Sequence, residues 1–465
     1  MVFSTVVFLF YFLPIFLTVY FILPGVTAKN IFLLLASLVF YAWGEPWFVF
    51  VLLAVMAMNY VMAVVIDGSH GRARTAVTAL GVVANLSVLG TFKYLDFFIN
   101  SVRGLFGVTV FGLEPMGFLP LGVSFVSFHA ISYLVDVHRG KVSANRDPLQ
   151  VAVYLSMFPQ LVAGPIVRYN TIYRQLSARR ETFGRASAGI RIFIIGLAQK
   201  VLIADEVARI AEAVFDKAVK PSFSEAWLGV GAYTLQIYFD FMGYSSMAIG
   251  LALALGIRFP RNFRLPYTSL SVTEFWRRWH ISLSAWFRDY VYIPLGGNRG
   301  SDARTYINLG TVFLLCGLWH GAHRTFIIWG IHHGFFLIIE RAGLSRSLKG
   351  APWPVAWLYT LLVVMTGWVW FRARGYGRAL EMFEGLAGLN GFSGLSFATH
   401  VALYPTAIAA MLIGAVLSVA SWIPRPKVGP VPYQAADTVR IAVMFAFCVM
   451  TIAAGSYSPF LYFRF

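Results

Sequence analysis

Apolar runs long enough to cross a bilayer recur along almost the entire chain, and they limit its fold more than any other feature. Of its 465 residues, 58% are hydrophobic and only 12% are charged, which is too little charge to cover a soluble domain of this length. The runs show no alternation of apolar and polar residues, so the spans are helices and not barrel strands. The sequence predicts an all-α polytopic membrane protein, with residues 1–465 forming a single integral-membrane domain.

Hydrophobicity places the predicted spans along the whole chain. Met1–Leu23 has neither a basic start nor a small-residue cleavage site, which indicates a spanning helix and not a cleaved signal peptide. Tyr306–Trp319 is too short for a confident crossing, so the topology after Arg304 stays open. The predicted spans are Phe3–Leu23, Ile31–Trp43, Trp47–Ile66, Ala76–Lys93, Ala188–Ala204, Ala226–Ile257, Trp353–Phe371, Ala402–Trp422 and Ile441–Ala454.

The formal net charge of +17 comes from basic residues that lie between the apolar runs. This pattern follows the positive-inside rule and argues against nucleic-acid binding. Assigning the early basic loops to the cytoplasm makes the N-terminus periplasmic. The same cations are available to anionic headgroups of membrane lipids. Cys316 and Cys448 offer neither a metal pattern nor a disulfide framework.

The segment Pro148–Pro165 lies between basic loops and contains helix breakers. We expect it to enter and leave the membrane from the cytoplasmic side. Irregular backbone at membrane depth is tolerated where it is buried in protein or lines a cavity. Pro159–Arg168, including Pro165, is therefore a candidate wall of a substrate chamber.

The region Arg258–Arg304 mixes arginines with tryptophans, a composition typical of a helix that lies at the membrane interface. On such a helix Trp276, His280 and Ser284 share one face. A solvated histidine in an aromatic belt and a histidine in a functional site both fit this pattern.

Gly317-Leu-Trp-His-Gly321 places an ionisable imidazole, His320, beside a glycine in an otherwise apolar run. Titratable groups at membrane depth are costly and indicate function, and imidazole transfers protons readily near pH 7. The alternative is a structural hydrogen bond between helices. Gly317 and Gly321 favour a site, because they allow another backbone or a thin substrate to approach closely. His323 and Arg324 are expected to face water.

Asp240 lies in the middle of a predicted span, where a carboxylate must pair or be protonated. A structural ion pair with an arginine of the following region is favoured over direct catalysis. Asp136 is interpreted as an interfacial charge. The histidine-rich stretch lacks HExxH and clustered carboxylates, so no metal is expected. No nucleotide-binding motif is present.

Taken together and in order, the motifs of this chain resemble those of the membrane-bound O-acyltransferases. The resemblance is strongest to the bacterial branch that includes the membrane subunit of alginate O-acetylation. It covers nearly the whole chain. The motifs are Pro120-Leu-Gly-Val-Ser-Phe125, Ser132-Tyr-Leu-Val-Asp136, Pro159-Gln-Leu-Val-Ala-Gly-Pro165, Tyr238-Phe-Asp-Phe241, Arg261-Asn-Phe263, Glu274-Phe-Trp-Arg-Arg-Trp-His280, Arg288-Asp-Tyr290, Ile293-Pro-Leu-Gly-Gly-Asn-Arg299 and Gly317-Leu-Trp-His-Gly321.

This resemblance implies that His320 is the principal catalytic histidine and His280 a second, supporting one. It also implies a helical bundle with re-entrant and interfacial helices around a central tunnel. Two departures from the family pattern are visible: Tyr244-Ser-Ser-Met247 lacks a usual aspartate, and Gln199 stands where a second lysine is common. The tunnel is expected to be lined by Trp319, Trp276, Asp240 and Pro165.

By similarity, the chain accepts an acetyl or other short acyl group from a cytoplasmic thioester, acetyl-CoA or another, with no bound cofactor. The group is passed outward for O-acetylation of an extracellular polysaccharide such as alginate, through a periplasmic acyltransferase or other polysaccharide-modification proteins. His320 acts as general base or carries the acyl group transiently. His280 orients the acceptor or stabilises developing charge. Arg277 and Arg278 either bind donor phosphates or simply lie at the interface.

Three other functions remain open from the residues. A lipid, protein or D-alanyl acyltransferase would use a carrier-protein or long-chain donor. A transporter of polysaccharide precursors would show repeated halves, and no repeat is evident. A scaffold of a secretion complex would not need buried histidines.

Overall fold

A computed structural model of the protein describes residues 1–106, 122–321, 323–420, 430–455 and 460–461. Within these ranges the chain forms helices and loops and no β-strand. Seven of the described helices are long and apolar enough to cross a membrane. The prediction of an all-α polytopic membrane protein is confirmed. Pro120 and Leu121 of the first motif, and Trp422 at the end of a predicted span, lie outside the described residues.

The α-helices follow one another along the chain with short connections. The first are α1 (Leu13–Ile22), α2 (Gly25–Ala42), α3 (Phe48–Gly68), α4 (Gly71–Phe106), α5 (Val123–His138), α6 (Pro148–Ser156), α7 (Phe158–Leu161), α8 (Tyr169–Ser177), α9 (Phe183–Ala198), α10 (Asp205–Glu212) and α11 (Phe223–Ala254). The others are α12 (Val272–Arg278), α13 (Ile281–Phe287), α14 (Asp302–His320), α15 (Arg324–Ile339), α16 (Ser345–Gly350), α17 (Trp353–Arg372), α18 (Tyr376–Leu386), α19 (Phe397–Ala402), α20 (Pro405–Ser418) and α21 (Pro430–Ala453).

Short π-helical or 3-10 segments extend several of these helices. One π-helical segment joins α9 to α10 and a second extends α10, which gives one apolar helix, Phe183–Lys217, 35 residues long and much longer than the predicted Ala188–Ala204. The π-helical segments are Val7–Phe12, Gln199–Ala204, Ala213–Lys217, Arg288–Tyr292 and Glu340–Leu344, and Pro266–Thr268 is a 3-10 turn.

The chain divides into two compact units, one formed by Met1–Phe193 with Met247–Pro260 and the other by Ile194–Ser246 with Arg261–Phe465. In the first unit α5 packs against α3 and α4, and α6 packs against α2 and α3. Asn59 on α3 and Asn85 on α4 are buried and exchange amide hydrogen bonds of 3.0 and 2.9 Å. Each side-chain amide forms a hydrogen bond to the other, so both polar groups are buried with a partner.

The predicted interruption after α6 is present in the first unit. The chain leaves the helix at Met157, forms the four-residue helix α7, and is irregular from residue 162 to residue 168. Residues 162–167 are buried. The main chain of Val167 bonds buried side chains: its N–H donates to Nε2 of His129 at 3.2 Å, and its C=O accepts from Tyr154 at 3.0 Å. The irregular backbone is thus satisfied by the protein.

In the second unit, α14 and α15 pair closely and α15 also packs against α17. Both helices are longer than the short apolar runs suggested: α14 has 19 residues and α15 has 16. Ser301 caps α14 by accepting a hydrogen bond from the N–H of Arg304, and His323 caps α15 in the same way from Thr325. This helical pair carries the histidine-rich stretch.

Candidate active site

His320 is the last residue of α14, and the chain leaves the helix at Gly321. Only 6% of its surface is exposed, so the imidazole is held within the protein. Aromatic rings surround it: the ring centres of Trp329 and Phe371 lie 4.9 and 5.0 Å from that of His320. His323, by contrast, is exposed, as is Arg324; that both face water stays a prediction.

The glycines near His320 permit close helix packing. A methyl group at Gly317 would lie 2.4 Å from the carbonyl oxygen of Phe326, and one at Gly330 would lie 2.3 Å from that of Phe313. The backbones of α14 and α15 therefore meet one turn before His320. The expectation of a close backbone approach is confirmed at Gly317.

His280 is not part of a helix, which corrects the predicted face shared by Trp276, His280 and Ser284. Helix α12 ends at Arg278, and His280 has φ 42° and ψ 56°, the left-handed conformation. Helix α13 starts only at Ile281, so no single helical period relates the three side chains. The region is likewise not one interfacial helix, because Trp276 and Trp286 are buried in the protein.

Asn262, which the sequence interpretation overlooked, contacts His280 directly. Its Oδ1 lies 3.1 Å from Nδ1 of His280, and both residues are 1% exposed. The same oxygen accepts a hydrogen bond from the hydroxyl of Ser282 at 2.9 Å. The only available signal was the Arg261-Asn-Phe263 motif, and nothing in it indicates a partner for a histidine further along the chain.

Trp319 brings the two predicted catalytic histidines into one cluster. Its ring centre lies 4.7 Å from that of His320 and 6.3 Å from that of His280. Trp276 joins from the other side, because its ring packs 5.7 Å from Trp329, which also contacts His320. Of the predicted site residues, His320, His280, Trp319 and Trp276 therefore lie together.

A cavity of about 460 Å³ lies beside this cluster. Its walls are mainly apolar, and its cations are the exposed Arg277 and Arg288. Cys316, one helical turn before His320, lines the cavity together with the buried Trp276. Among the described residues, the indole N–H of Trp276 has no hydrogen-bond partner. The cavity combines apolar walls, positive charge and a buried donor, which suits a slender ligand with an anionic end.

The two predicted donor-binding arginines differ in their surroundings. Arg278 pairs with Glu274 at 2.6 Å and also donates to the hydroxyl of Thr268 at 3.1 Å. Arg277 points into the cavity. A role in binding an anion therefore fits Arg277 better than Arg278.

Asp240 pairs with a lysine and not with an arginine of the following region, which corrects the prediction. Its carboxylate lies 2.7 Å from the ammonium of Lys200 and accepts the backbone N–H of Leu461 at 3.0 Å. Lys200 also lies 2.6 Å from Asp205. Phe241, the next residue, packs on His280 with ring centres 4.6 Å apart. Asp240 therefore contributes to the site indirectly, through an ion pair next to the residue that packs on His280.

The remaining predictions fall in the first unit. Asp136, near the end of α5, is fully buried, accepts from the amide of Asn170 at 3.2 Å and lies 3.5 Å from the ammonium of the exposed Lys141; its interpretation as an interfacial charge stays a prediction. Pro165 is buried in the irregular segment after α7, and its place in a chamber wall stays a prediction. Across the described ranges, no three His, Cys, Asp or Glu residues cluster in a way that could hold a metal ion.

Glu340 has a structural role that the sequence interpretation did not predict. It is fully buried and accepts hydrogen bonds from the backbone N–H groups of Val272 and Thr273, at 2.6 and 2.9 Å. The hydroxyls of Thr273 and Tyr359 also donate to it, at 2.6 and 3.3 Å. These bonds fix the start of α12, the helix that carries Trp276 and Arg277.

Comparison with known proteins agrees with this architecture. The family model described as MBOAT, membrane-bound O-acyltransferase family, matches residues 35–364. The chain is 42% identical to the probable alginate O-acetylase AlgI of Azotobacter vinelandii, with 100% of both proteins covered. It is 39% identical to the peptidoglycan O-acetyltransferase of Helicobacter pylori over 84% of this chain and 81% of the relative. Identity to the teichoic acid D-alanyltransferase of Bacillus subtilis is 27%, covering 47% and 58%.

The chain is a multi-pass helical membrane protein with buried histidines, and its relatives are acyltransferases. It is therefore a membrane-embedded transferase. The chain belongs to the membrane-bound O-acyltransferase family, and it is an O-acyltransferase. The transporter and scaffold interpretations find no support in these relatives.

Proposed function

We propose that the chain moves an acetyl group from a cytoplasmic thioester across the membrane for O-acetylation of an extracellular polysaccharide such as alginate. The observation that carries this proposal is the buried His320 beside Trp319 and His280, in a chain 42% identical to a probable alginate O-acetylase over its full length. A thioester donor is confined to the cytoplasm and the polymer lies outside, so the enzyme must connect the two sides.

In the proposed reaction His320 is the general base. Its unprotonated nitrogen takes the proton of an acceptor hydroxyl as the oxygen attacks the carbonyl carbon of the thioester. The C–S bond then breaks, and the departing thiolate receives the proton from His320, which returns to its neutral form. A transient acyl group on His320 is the alternative course of the same net reaction. Imidazole suits both, since it is neutral and nucleophilic near pH 7.

The cavity beside α14 suits the arm of the thioester donor, acetyl-CoA in the first instance. Its apolar wall includes Cys316, one helical turn before His320, and the exposed Arg277 is available for a phosphate. Arg278 contributes mainly through Glu274 and α12. The enzyme needs no bound cofactor for this chemistry, because the thioester itself supplies the activated acyl group.

Delivery to the polymer is proposed to involve a periplasmic acyltransferase or another polysaccharide-modification protein. The protein lies in the bacterial inner membrane with its N-terminus in the periplasm, as the distribution of basic loops indicates. Membrane lipids surround its apolar helices, and no nucleic acid is involved.

Acetyl transfer from labelled acetyl-CoA by the purified protein in liposomes tests the proposal, with a polymer fragment and the periplasmic partner present. Wild type is compared with His320→Ala and with His400→Ala, a matched control at an exposed histidine of α19. Label on the polymer with wild type and the control, but not with His320→Ala, is the expected result. Full transfer by His320→Ala would contradict the role of His320.

A D-alanyl or other acyl transfer from a carrier protein is the second candidate, favoured by the 27% identity to a teichoic acid D-alanyltransferase. The same liposomes are therefore also supplied with an acylated carrier protein. Transfer from the acylated carrier protein and none from acetyl-CoA would identify the carrier protein as the donor.

A further inference from the structure

The amide of Asn262 has a defined orientation. The backbone N–H of Ser282 donates to its Oδ1 at 3.3 Å, and a backbone N–H can only donate. At the other end of the amide, Nδ2 donates to the hydroxyl oxygen of Ser245 at 3.0 Å. The atom that faces His280 is therefore the oxygen of the amide and not its nitrogen.

This orientation selects the tautomer of His280. Its Nδ1 lies 3.1 Å from an oxygen that can only accept, so Nδ1 carries the hydrogen and donates. A neutral imidazole has a single N–H, and Nε2 is left with a lone pair. Among the described residues, this buried Nε2 has no hydrogen-bond partner.

Burial keeps the imidazole neutral. Desolvation lowers the pKa of His280 to about 3, so the ring is uncharged near pH 7. The rings of Phe241 and Trp319 lie next to it in edge-to-face arrangements, with centres 4.6 and 6.3 Å away. The charged and histidine side chains on the surrounding elements are Glu225 and Asp240 on α11, Arg261 and Arg264 beside Asn262, Glu274, Arg277 and Arg278 on α12, and Asp302, Arg304 and His320 on α14.

Asn262 also holds the backbone of this turn. Its carbonyl oxygen accepts the N–H of Ile281 at 2.9 Å, next to His280 with its left-handed φ of 42°. A non-glycine residue in this conformation is strained, and the conformation persists where the surroundings enforce it. Side chain and main chain of Asn262 thus act together on one histidine.

We infer that Asn262 is a positioning residue that holds His280 as the Nδ1–H tautomer, so that Nε2 accepts a hydrogen bond from an O–H or N–H group of a substrate. This inference rests on the proposed acyl transfer and chooses between two roles of His280. A neutral ring with its hydrogen on Nδ1 orients a substrate and cannot donate from Nε2 to an oxyanion. The proton transfer stays with His320.

Two substrate groups offer this chemistry: a hydroxyl of the sugar acceptor and an amide N–H of the coenzyme A arm. Steady-state kinetics of His280→Phe, a ring of similar shape without nitrogen, distinguishes them. A rise of KM for the acceptor alone identifies the hydroxyl, and a rise of KM for acetyl-CoA alone identifies the arm. Unchanged kcat and KM for both substrates would overturn the inference.

Two substitutions of Asn262 test the positioning itself in the full-length protein. Asn262→Asp still accepts from Nδ1–H, and its charge raises the pKa of His280 by stabilising the imidazolium. Near pH 8 the imidazole of His280 is still neutral, so this variant keeps the Nδ1–H tautomer and should retain kcat/KM within about threefold of wild type. Asn262→Leu removes the acceptor and should lower kcat/KM at least about 10-fold, or about 1.4 kcal/mol.

Asn308→Leu is the matched control, because Asn308 is also buried but donates to the carbonyl oxygen of Gly297. It should keep kcat/KM within about threefold of wild type, a difference under 1 kcal/mol. Wild-type kinetics of Asn262→Leu, or an Asn262→Asp variant as impaired as Asn262→Leu, would overturn the inference. Loss of transfer by His320→Ala in the same assay shows that the proposed function stands even then. Absence of transfer by wild type would instead refute that function.

Discussion

The ammonium of Lys200 lies 2.7 Å from the carboxylate of Asp240, and Asp205 lies 2.6 Å from the same ammonium. Lys200 is 1% exposed, so one buried cation serves two carboxylates. Buried charges are tolerated only when they are paired and hydrogen-bonded. This cluster fixes the π-helical segment Gln199–Ala204 against α11, the helix whose Phe241 packs on His280.

Replacing Lys200, the shared cation, should destabilise the protein far more than replacing one of its two carboxylate partners. Lys200→Met leaves two carboxylates unpaired, and we expect a loss of about 3–5 kcal/mol in the free energy of unfolding. Asp240→Asn keeps one cation with one anion and should cost less. Thermal unfolding in detergent measures both, with Lys217→Met at an exposed site as control. Equal losses for Lys200→Met and Asp240→Asn would contradict the ion-pair account.

Gly317→Ala should separate α14 from α15, because the added methyl would lie 2.4 Å from the carbonyl oxygen of Phe326. We expect destabilisation of about 1–3 kcal/mol and reduced acetyl transfer, since His320 lies one turn away. Gly310→Ala on the same helix meets nothing within 4 Å and is the matched control. Unfolding temperature and transfer rate are the measurements. Equal unfolding temperatures and transfer rates for the two variants would show that the close packing of α14 against α15 is not required.

Glu340→Gln should loosen the start of α12. An amide offers fewer acceptor positions than a carboxylate to the N–H groups of Val272 and Thr273, and its nitrogen would oppose their donors. Loss of hydrogen bonds to a charged group costs about 1.5–3 kcal/mol each. Reduced unfolding temperature together with reduced transfer is expected. Glu274→Gln, at a partly exposed pair, serves as control and should change neither quantity much.

Arg277→Ala should raise KM for acetyl-CoA, whereas Arg278→Ala should change it little. Arg277 lines the cavity, so its loss should raise KM for acetyl-CoA about 10-fold or more, as expected for a charge-assisted hydrogen bond. Arg278 pairs with Glu274 four residues earlier, a contact worth under about 1 kcal/mol at a partly exposed position. Initial rates at varied acetyl-CoA measure the difference. A larger effect on KM from Arg278→Ala would place the donor elsewhere.

The prediction for Asp240 shows where sequence interpretation failed. A carboxylate in an apolar run requires a partner, and that requirement was correct. The arginines nearby in sequence were chosen, while the partner is Lys200, on the preceding long helix. A single lysine in an apolar run looks the same whether it snorkels to the interface or turns into the bundle. The direction it takes depends on how the two helices pack.

The prediction for His280 failed for a different reason. A helical period was applied across Trp276 and Ser284, yet the helix is interrupted at Trp279 and His280. No glycine or proline marks the interruption in the sequence. The left-handed turn is held by Asn262, which lies 18 residues away along the chain.

Membrane location, helical class and most spans were accessible without coordinates, and the sequence also singled out His320, whose burial the fold then showed. Hydrophobicity sums over neighbouring residues, and a bilayer allows few solutions for a long apolar run, so local composition is sufficient for these conclusions. The partner of Asp240, the turn at His280 and its acceptor on Asn262, and the unequal surroundings of Arg277 and Arg278 required the folded chain. Ion pairs and hydrogen bonds act over about 3 Å, and which distant residues come within that range is decided by packing.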